Sequence, residues 1–342
     1  MNIAIRSPNW IGDGIMSIPA IRAYKEYFPA DRVTLIVKRY LADIFLHVAE
    51  IDEIITIPDR WSIAGYLRHV RQLRKKRFAR GILFTNSLAS AIFFRLARIN
   101  HLCGYDRDAR GWLLADRIPC RDGDEHQQFY YLKIIEHLAG HKISRSFPAN
   151  LVLSAEEKLL APGTFSGVGI PPGSDVLAVA PAAAFGSAKA WLPERFRDVI
   201  MAWQGSHPAS ETVLLGTLGE INKIDRIVAG LSGRIHNLAG RLTLRQTIIL
   251  LAQCRLVVCN DSGIMHIASS LNIPLLAIFG PTRSGKTSPL SESFRLLYHG
   301  ADCAPCRHRE CPTDHRCMTA VTSREVLAAA EALWSLPRPT DA

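Results

Sequence analysis

Short strand-like apolar runs alternate with helical patterns along most of this chain. The strand-like runs occupy residues 3–5, 33–37, 54–57, 81–84, 176–180, 212–215, 256–259 and 274–279, with helical patterns at 17–28, 63–76 and 87–98 and between the later strands. This alternation is typical of βαβ units, in which crossover helices join parallel strands. We therefore predict an α/β fold built on parallel sheets.

The alternation is interrupted near Leu151 and resumes after a segment rich in proline and glycine at residues 161–174. Such a composition is typical of a linker between domains. We predict an N-terminal domain over residues 1–160, a linker over 161–174, a C-terminal domain over 175–322, and a helix with a tail over 323–342. Doubly wound, Rossmann-like domains bind ligands at the carboxyl ends of their strands, so we expect the two halves to face each other across a substrate cleft.

Composition narrows the class of protein. Hydrophobic residues make up 48% of the 342 residues, which is enough to bury a sizeable core. No apolar run reaches the roughly 18 residues of a membrane span, and the N-terminus lacks a signal-peptide pattern, so we expect a cytoplasmic protein. The net charge of +10 favours an acidic partner, which leaves nucleic acid, an anionic membrane surface and a phosphorylated substrate open.

Residues 280–287 match the P-loop pattern G-x-x-x-x-G-K-[ST] and follow an apolar strand. A working P-loop needs a helix that begins at its Lys-Thr end, because the N–H groups of that helix hold the phosphates. Here Pro289 follows almost at once, and residues 294–298 favour a strand. The rest of the chain also offers no later strand with a metal-binding Asp. We predict that the match is fortuitous.

Two strand-to-helix turns each carry one candidate functional side chain. Asp13 lies between Gly12 and Gly14, and glycine on both sides lets the backbone approach a ligand closely. Lys189 follows a strand of the second half among small residues, as a diphosphate site requires. Each has a simpler interpretation, because an isolated Asp before a helix is more often a helix cap and a lone Lys beside Trp191 is more often solvated.

A third turn spans residues 259–266, where a buried strand ends and a helix begins. Asp261 can accept hydrogen bonds from sugar hydroxyls, while Ser262 and the first helical N–H groups can hold an anion. Taken alone, this turn is also compatible with an ordinary helix cap.

Four of the eight cysteines crowd into one short segment, at Cys303, Cys306, Cys311 and Cys317. Four thiolates this close can hold a tetrahedral structural zinc ion, although the spacing departs from the usual paired C-x2-C arrangement. A set of ordinary thiols in a loop is equally compatible with the sequence. Nothing in the pattern indicates catalytic metal chemistry.

Five segments together resemble the ADP-heptose:lipopolysaccharide heptosyltransferases of glycosyltransferase family 9, and most of all the heptosyltransferase II branch. These segments are residues 10–13, 185–193, 237–240, 260–268 and 279–282, and they follow the family's order over nearly the whole chain. The resemblance implies the GT-B fold, with an acceptor-binding N-terminal domain and a C-terminal domain that binds the nucleotide sugar. It also implies an inverting reaction that uses no metal.

The resemblance implies a role for each matching position. Asp13 corresponds to the general base that takes the proton of the acceptor hydroxyl, and Lys189 to the cation that neutralises the ADP leaving group. The donor loop falls at Asp261, Ser262, Gly263 and His266, the ribose contact at Glu220 and an adenine contact at Leu242. One position departs from the pattern, since Ala184 stands where an acidic residue often precedes Phe185.

The resemblance implies transfer of L-glycero-D-manno-heptose from ADP-heptose to the lipopolysaccharide inner core, as its second heptose. The expected partners are that donor, the lipid-anchored core acceptor and the anionic inner face of the cytoplasmic membrane, with no nucleic acid. Basic stretches at 68–80 and 107–117 are candidates for docking the acceptor, or are ordinary solvated surfaces. Two alternatives stay open: a related glycosyltransferase with another acceptor or nucleotide sugar, and a non-catalytic nucleotide-binding protein in which Asp13 only caps a helix.

Overall fold

The structure is a computed structural model that describes residues 1–120, 123, 125–183, 185–291, 293–306 and 308–336. The chain forms two compact units, Met1–Leu151 and Val152–Ala342. The division lies N-terminal to the segment 161–174 predicted as a linker, and the first part of that segment belongs to a helix, Ala155–Ser166. A capping box between Ser154 and Glu157 starts this helix, which then continues through Pro162 despite the loop-like composition.

Within its described residues, the first unit contains a six-stranded parallel sheet and four helices. Its strands are β1 (Asn2–Arg6), β2 (Arg32–Lys38), β3 (Glu53–Ile57), β4 (Arg80–Leu83), β5 (Leu102–Asp106) and β6 (Asp116–Pro119); its helices are α1 (Ile11–Tyr27), α2 (Ile63–Lys76), α3 (Leu88–Leu96) and α4 (Gln127–Ala139). The strand order is β3-β2-β1-β4-β5-β6. Short 3-10 helices occupy Arg39–Ile44 and Gly111–Leu113.

The second unit repeats this architecture. Its strands are β7 (Val176–Ala180), β8 (Glu211–Leu214), β9 (Ile235–Asn237), β10 (Leu256–Asn260), β11 (Leu275–Ile278) and β12 (Phe294–Leu297). Its helices are α5 (Ala155–Ser166), α6 (Pro193–Ser206), α7 (Ile221–Val228), α8 (Leu244–Leu251), α9 (Gly263–Ser270), α10 (Ser284–Thr287), α11 (Arg316–Thr319) and α12 (Ser323–Trp334), with 3-10 turns at Ser187–Lys189 and Leu218–Glu220. The strand order, β12-β11-β10-β7-β8-β9, is again that of a doubly wound Rossmann-like sheet.

The order of strands fixes where a ligand can bind in each unit. In the first sheet β1 pairs with both β2 and β4, and in the second β7 pairs with both β8 and β10. The winding direction reverses between β1 and β4 and between β7 and β10. Crevices form outside the carboxyl ends of the strands at such switch points, which is where doubly wound folds bind ligands.

The C-terminal helix belongs to the core of the second unit rather than forming an appendage. A capping box between Thr322 and Glu325 begins α12, whose buried face includes Val326 and Trp334. The Trp334 ring meets the Trp203 ring of α6 edge to face, with centroids 4.9 Å apart. The tail after residue 336 lies outside the described residues. Among the described helices, none is long and apolar enough to cross a membrane.

Candidate functional site

The second unit brings two of the predicted site residues into direct contact at its switch point. Lys189 lies on the loop after β7, and Asp261 follows β10. The Lys189 Nζ lies 2.7 Å from the Asp261 Oδ2, and the two side chains are only 16% and 6% exposed. The Thr282 hydroxyl donates to the same carboxylate oxygen at 2.7 Å. A fixed cation is thereby held at the carboxyl ends of neighbouring strands.

Asn260, the last residue of β10, fixes the loop that carries Lys189. Its side chain is fully buried. The Asn260 Oδ1 accepts from the backbone N–H of Trp191 at 3.0 Å, and its Nδ2 donates to the carbonyl of Pro181 at 2.9 Å. Both ends of the loop are thus tied to the strand that Asp261 follows.

The predicted donor loop forms the N-terminus of α9. Ser262 is the N-cap residue in extended conformation, and Gly263 is the first helical residue. The Ser262 side chain makes no capping bond, and its buried Oγ has no hydrogen-bond partner among the described residues. Free helix N–H groups beside an unpaired hydroxyl suit an oxyanion. His266 lies one turn further on and is 7% exposed.

The two positions assigned to the nucleoside lie after the next strands of the same sheet. Glu220 follows β8, and its Oε2 accepts from the Thr217 backbone N–H at 2.7 Å and the Thr217 hydroxyl at 2.8 Å. Leu242 follows β9 and is half-buried beyond a turn at Gly240, whose φ is +68°. The Glu220 carboxylate therefore has a local capping role, and contacts to ribose and adenine stay predictions.

In the first unit, Asp13 lies in the first turn of α1, directly after the β1 loop. The N-cap of that helix is Trp10, so Asp13 is not the cap residue that the alternative interpretation expects. The buried Tyr131 hydroxyl of α4 donates to the Asp13 Oδ1 at 3.1 Å. Burial, with the adjacent Asp13 charge, holds the pKa of Tyr131 well above its usual value, so this hydroxyl keeps its proton across the neutral range.

A buried arginine shapes the loop that leads to Asp13. Arg6, the last residue of β1, is 5% exposed. Its guanidinium donates to the carbonyl of Ser7 at 2.6 Å and to the side-chain oxygen of Asn9 at 2.7 Å. Burial lowers the pKa of Arg6 to about 10, which still leaves the group charged at neutral pH. The loop is therefore fixed by a cation that lies beneath it.

The P-loop match does not have the structure that a P-loop requires. Helix α10 is a single turn inside the motif and ends at Thr287, so no helix begins at the Lys-Thr end. Strand β12 follows, as predicted. Gly280 has a packing role instead, since a Cβ there would lie 2.2 Å from the Met318 Sδ and 3.1 Å from the Cys317 Sγ.

The four clustered cysteines line one cavity of about 100 Å³, together with His308 and His315. Within the described residues, no group of three or more His, Cys, Asp or Glu side chains is arranged to hold a metal ion. A structural zinc site therefore stays a prediction. Side-chain and backbone hydrogen bonds from Thr313 lower the pKa of the Cys311 thiol, whereas burial raises that of Cys317.

One of the basic stretches predicted to dock the acceptor is partly internal. Arg110, within 107–117, is completely buried and donates to the carbonyls of Tyr105 and Thr85. Its charge supports the fold and is not available to an external anion, so this part of the prediction is wrong. In the other stretch, Arg68, Arg71, Arg74, Lys75 and Arg77 are exposed on or beside α2.

Sequence reasoning did not single out Thr282, Asn260 and Tyr131. Thr282 and Asn260 lie within segments that carry the family resemblance. Asn260 ends β10 and Thr282 lies on the loop after β11, so their positions offered a signal. Tyr131 offered none, because it lies 118 residues from Asp13 in the chain. Only the packing of α4 on α1 brings these two together.

Comparison with known proteins places the chain in a family. Residues 66–316 match Glycosyltransferase family 9 (heptosyltransferase). The chain is 29% identical to lipopolysaccharide heptosyltransferase 2 of Salmonella typhimurium over 87% of this chain and 88% of that protein. It is 28% identical to lipooligosaccharide heptosyltransferase 2 of Campylobacter jejuni over 96% of this chain and 97% of the relative.

A solved structure agrees over the same length. The structure of E. coli ADP-heptose lps heptosyltransferase II superposes on this chain with a TM-score of 0.84. The two sequences are 25% identical, and the superposition covers 98% of each chain. The two six-stranded parallel sheets described above thus correspond to those of a GT-B enzyme, as predicted. With the family match covering more than half of its length, the chain belongs to glycosyltransferase family 9, the heptosyltransferase family, and is a glycosyltransferase.

Proposed function

We propose that this enzyme transfers L-glycero-D-manno-heptose from ADP-heptose to the lipopolysaccharide inner core, as the second heptose, with inversion and without a metal ion. The observation that carries the proposal is the Lys189 ammonium, held 2.7 Å from Asp261 at the switch point of the second unit. The names of the relatives support heptose as the sugar, and lipopolysaccharide or lipooligosaccharide as the acceptor. ADP-heptose stands in the name of the solved E. coli enzyme.

The donor site is proposed to work by fixed charge. The α9 N-terminus supplies backbone N–H groups, and Ser262 supplies a hydroxyl without a protein partner in the described residues. Both are suited to the diphosphate. As the bond from the sugar to ADP breaks, the leaving oxygen gains negative charge, and the Lys189 ammonium offsets it. Asp261 and Thr282 hold that ammonium in place beforehand.

The acceptor half of the reaction is proposed to depend on Asp13. Its carboxylate takes the proton from the acceptor hydroxyl while that oxygen forms a bond to the anomeric carbon and ADP departs with the electron pair of the broken bond. The Tyr131 hydroxyl donates to the Asp13 Oδ1 at 3.1 Å and so orients the carboxylate. A single displacement of this kind inverts the anomeric centre.

The test is incubation with ADP-heptose and truncated lipopolysaccharide acceptors of graded length, in the presence of a chelator, followed by mass spectrometry. We expect one heptose to be added only to acceptors that already carry the first heptose. Transfer from a UDP- or GDP-sugar in preference to ADP-heptose would support the related glycosyltransferase instead. Loss of activity with chelator, restored by a divalent cation, would contradict the metal-independent mechanism.

Replacement of the proposed base distinguishes an enzyme from a nucleotide-binding protein. Asp13→Asn keeps the size of the side chain and an acceptor for the Tyr131 hydroxyl, but it cannot take a proton. We expect the rate of transfer to fall about 10²- to 10⁴-fold, with ADP affinity unchanged. Transfer at the parental rate would remove Asp13 from the mechanism.

We also propose that the enzyme contacts the anionic membrane surface through α2. The polar face of this helix carries exposed Arg68, Arg71 and Lys75, and its start exposes Ile63 (84%) and Leu67 (45%). Exposed apolar side chains beside several cations are typical of helices that lie at a lipid interface. In this proposal the enzyme works at the cytoplasmic face of the inner membrane.

Vesicle sedimentation tests this surface. We expect the enzyme to bind vesicles that contain anionic phospholipid, to release from them at high salt, and to bind poorly as Ile63→Ser/Leu67→Ser. Leu159→Ser is the matched control, since Leu159 is 81% exposed on α5 of the other unit. Equal binding by all three proteins would exclude α2 as the contact.

A further inference from the structure

The segment that contains the clustered cysteines contacts both loops of the donor site. We call residues 303–318 the cysteine segment. It binds both backbone polar groups of Ala188: the Ala188 N–H donates to the Arg309 carbonyl at 3.0 Å, and the His315 Nε2–H donates to the Ala188 carbonyl at 2.8 Å. Ala188 immediately precedes Lys189, so the backbone beside the proposed catalytic lysine is held from outside its own loop.

The cysteine segment packs closely against a glycine in each of the two donor-site loops, Gly186 and Gly280. A Cβ on Gly186 would lie 2.2 Å from the Arg309 carbonyl oxygen, so only glycine permits this approach. The guanidinium of Arg309 and the ammonium of Lys189 both lie over the Phe185 ring, at 5.6 Å and 5.2 Å from its centroid. These contacts shape residues 185–189 around the segment.

The second donor-site loop is held in the same way. The Cys306 backbone N–H donates to the Pro281 carbonyl at 2.8 Å, directly before Thr282. Thr282 and Lys189 both bind the Asp261 Oδ2, each at 2.7 Å. The cysteine segment therefore supports the loops of both Thr282 and Lys189, the two residues that bind the Asp261 carboxylate. It supports them through the neighbouring backbone groups of Pro281 and Ala188.

His315 is the side chain through which this support is most direct. It stands at φ +57°, the left-handed region that few residues other than glycine adopt, immediately before α11. Its carbonyl accepts from the backbone N–H groups of Met318 at 2.9 Å and Thr319 at 3.0 Å, in α11. Its ring nitrogen reaches Ala188 across 127 residues of sequence. A residue held in an uncommon conformation by backbone bonds to α11, and bonded to the donor loop through its ring, is suited to positioning.

We propose that His315 is a positioning residue for Lys189: by binding the Ala188 carbonyl it fixes the lysine ammonium against Asp261 and in register with the donor diphosphate. The proposal rests on the proposed function, because it is the diphosphate that needs the ammonium in this place. Displacement of a catalytic group by about 1 Å can cost about 10²-fold in rate. Loss of the His315 contact is therefore expected to lower turnover although His315 does not touch the substrate.

The test is a double-mutant cycle on the full-length enzyme. We expect His315→Ala to lower kcat/KM at least tenfold, and His315→Gln, whose amide can still donate to the Ala188 carbonyl, to recover most of it. With Lys189 already replaced by Ala, His315→Ala should cost almost nothing further, because both changes remove the same interaction. His308→Ala, an exposed histidine of the same segment, is the matched control and should keep parental activity.

A second readout separates this proposal from the choice of substrate. Hydrogen exchange of residues 185–191 should accelerate in His315→Ala but not in His308→Ala, whether or not the parental enzyme transfers heptose. Failure of transfer in the parental protein would count against the proposed function alone. Unchanged exchange, activity within twofold of the parent, or losses that multiply in the double variant would each overturn the role of His315.

Discussion

Replacement of Asn260 by Ala is expected to destabilise the second unit and to release the lysine loop. The Asn260 side chain is fully buried, and it satisfies the backbone N–H of Trp191 and the backbone carbonyl of Pro181. Trp191 is itself completely buried, so solvent does not replace the lost partner of its N–H. The substitution leaves two buried backbone groups without a bond.

The magnitude follows from those two groups. A buried donor or acceptor left unsatisfied costs about 1–3 kcal/mol. Two of them, together with the space left by the amide, give an expected loss of roughly 2–5 kcal/mol in the free energy of unfolding. Since a whole domain is stabilised by only about 5–15 kcal/mol, a loss of this size is readily measured.

Urea denaturation followed by tryptophan fluorescence is the assay. Trp191, Trp203 and Trp334 are buried in the second unit, at 0%, 0% and 8% exposure, whereas Trp10, Trp61 and Trp112 of the first unit are 51%, 38% and 73% exposed. Exposed indoles change their surroundings little on unfolding, so the emission shift reports mainly on the second unit. The urea midpoint of that transition should fall in Asn260→Ala.

Asn222→Ala is the matched control, because Asn222 is exposed on α7. It should change stability by no more than about 0.5 kcal/mol, as is usual for exposed positions. A loss below about 1 kcal/mol in Asn260→Ala would refute the reasoning, because it would mean that the Trp191 and Pro181 groups find other partners. The same variant should also bind ADP more weakly, since the loop that it releases carries Lys189.

Three further predictions concern the lysines and the thiols. Lys189→Ala should weaken ADP binding, measured by calorimetry, about tenfold or more, which is a loss of about 1.4 kcal/mol. Lys286→Ala, in the P-loop match, should leave ADP affinity unchanged. An equal loss of affinity in both variants would restore the P-loop interpretation. Alkylation with iodoacetamide at neutral pH, followed by peptide mapping, should modify Cys311 well before Cys254 and Cys259. Hydrogen bonds from Thr313 lower the pKa of the Cys311 thiol, whereas burial raises the pKa of the other two thiols. The reverse order of modification would contradict this account. If the cysteine segment holds zinc, as its spacing allows, protein purified without chelator should contain about one zinc ion per chain and lose it in Cys306→Ser; a ratio near zero would leave only the thiol interpretation.

The elements predicted best are those whose sequence pattern coincides with complete burial or a clear helical period. Strand β7 and helix α2 match their predicted ranges, because the first is a continuous apolar run and the second is amphipathic with a basic face. Strands β5, β6 and β9 were not predicted. They are short and include Gly104, Asp116 and His236, so no apolar run or alternation distinguishes them from loops.

Helix boundaries and buried charges were harder to predict for a different reason. Helix α1 begins at Ile11, earlier than the predicted residue 17, because the glycines on either side of Asp13 indicate a loop locally although tertiary packing makes the segment helical. Arg110 belongs to a basic stretch in sequence, yet its partners are the carbonyls of Tyr105 and Thr85. Only the folded chain brings those carbonyls together.

The candidate site divides into residues that the sequence can indicate and residues that it cannot, and the fold explains the division. In a doubly wound sheet, ligand-binding groups lie on the loops that follow strands, so the candidates Asp13, Lys189 and Asp261 are found by locating strand ends. The residues that hold these side chains in place have no such sequence signal, because they can lie anywhere in the chain from which the folded structure brings them to the loop. Tyr131 and His315 do so from 118 and 127 residues away. Catalysis by fixed charge depends on both kinds, because an ammonium that is free to move must reorganise during the reaction and loses much of its effect. In the proposed mechanism the position of Lys189 is thus set locally, while its effectiveness depends on a distant segment of the same unit.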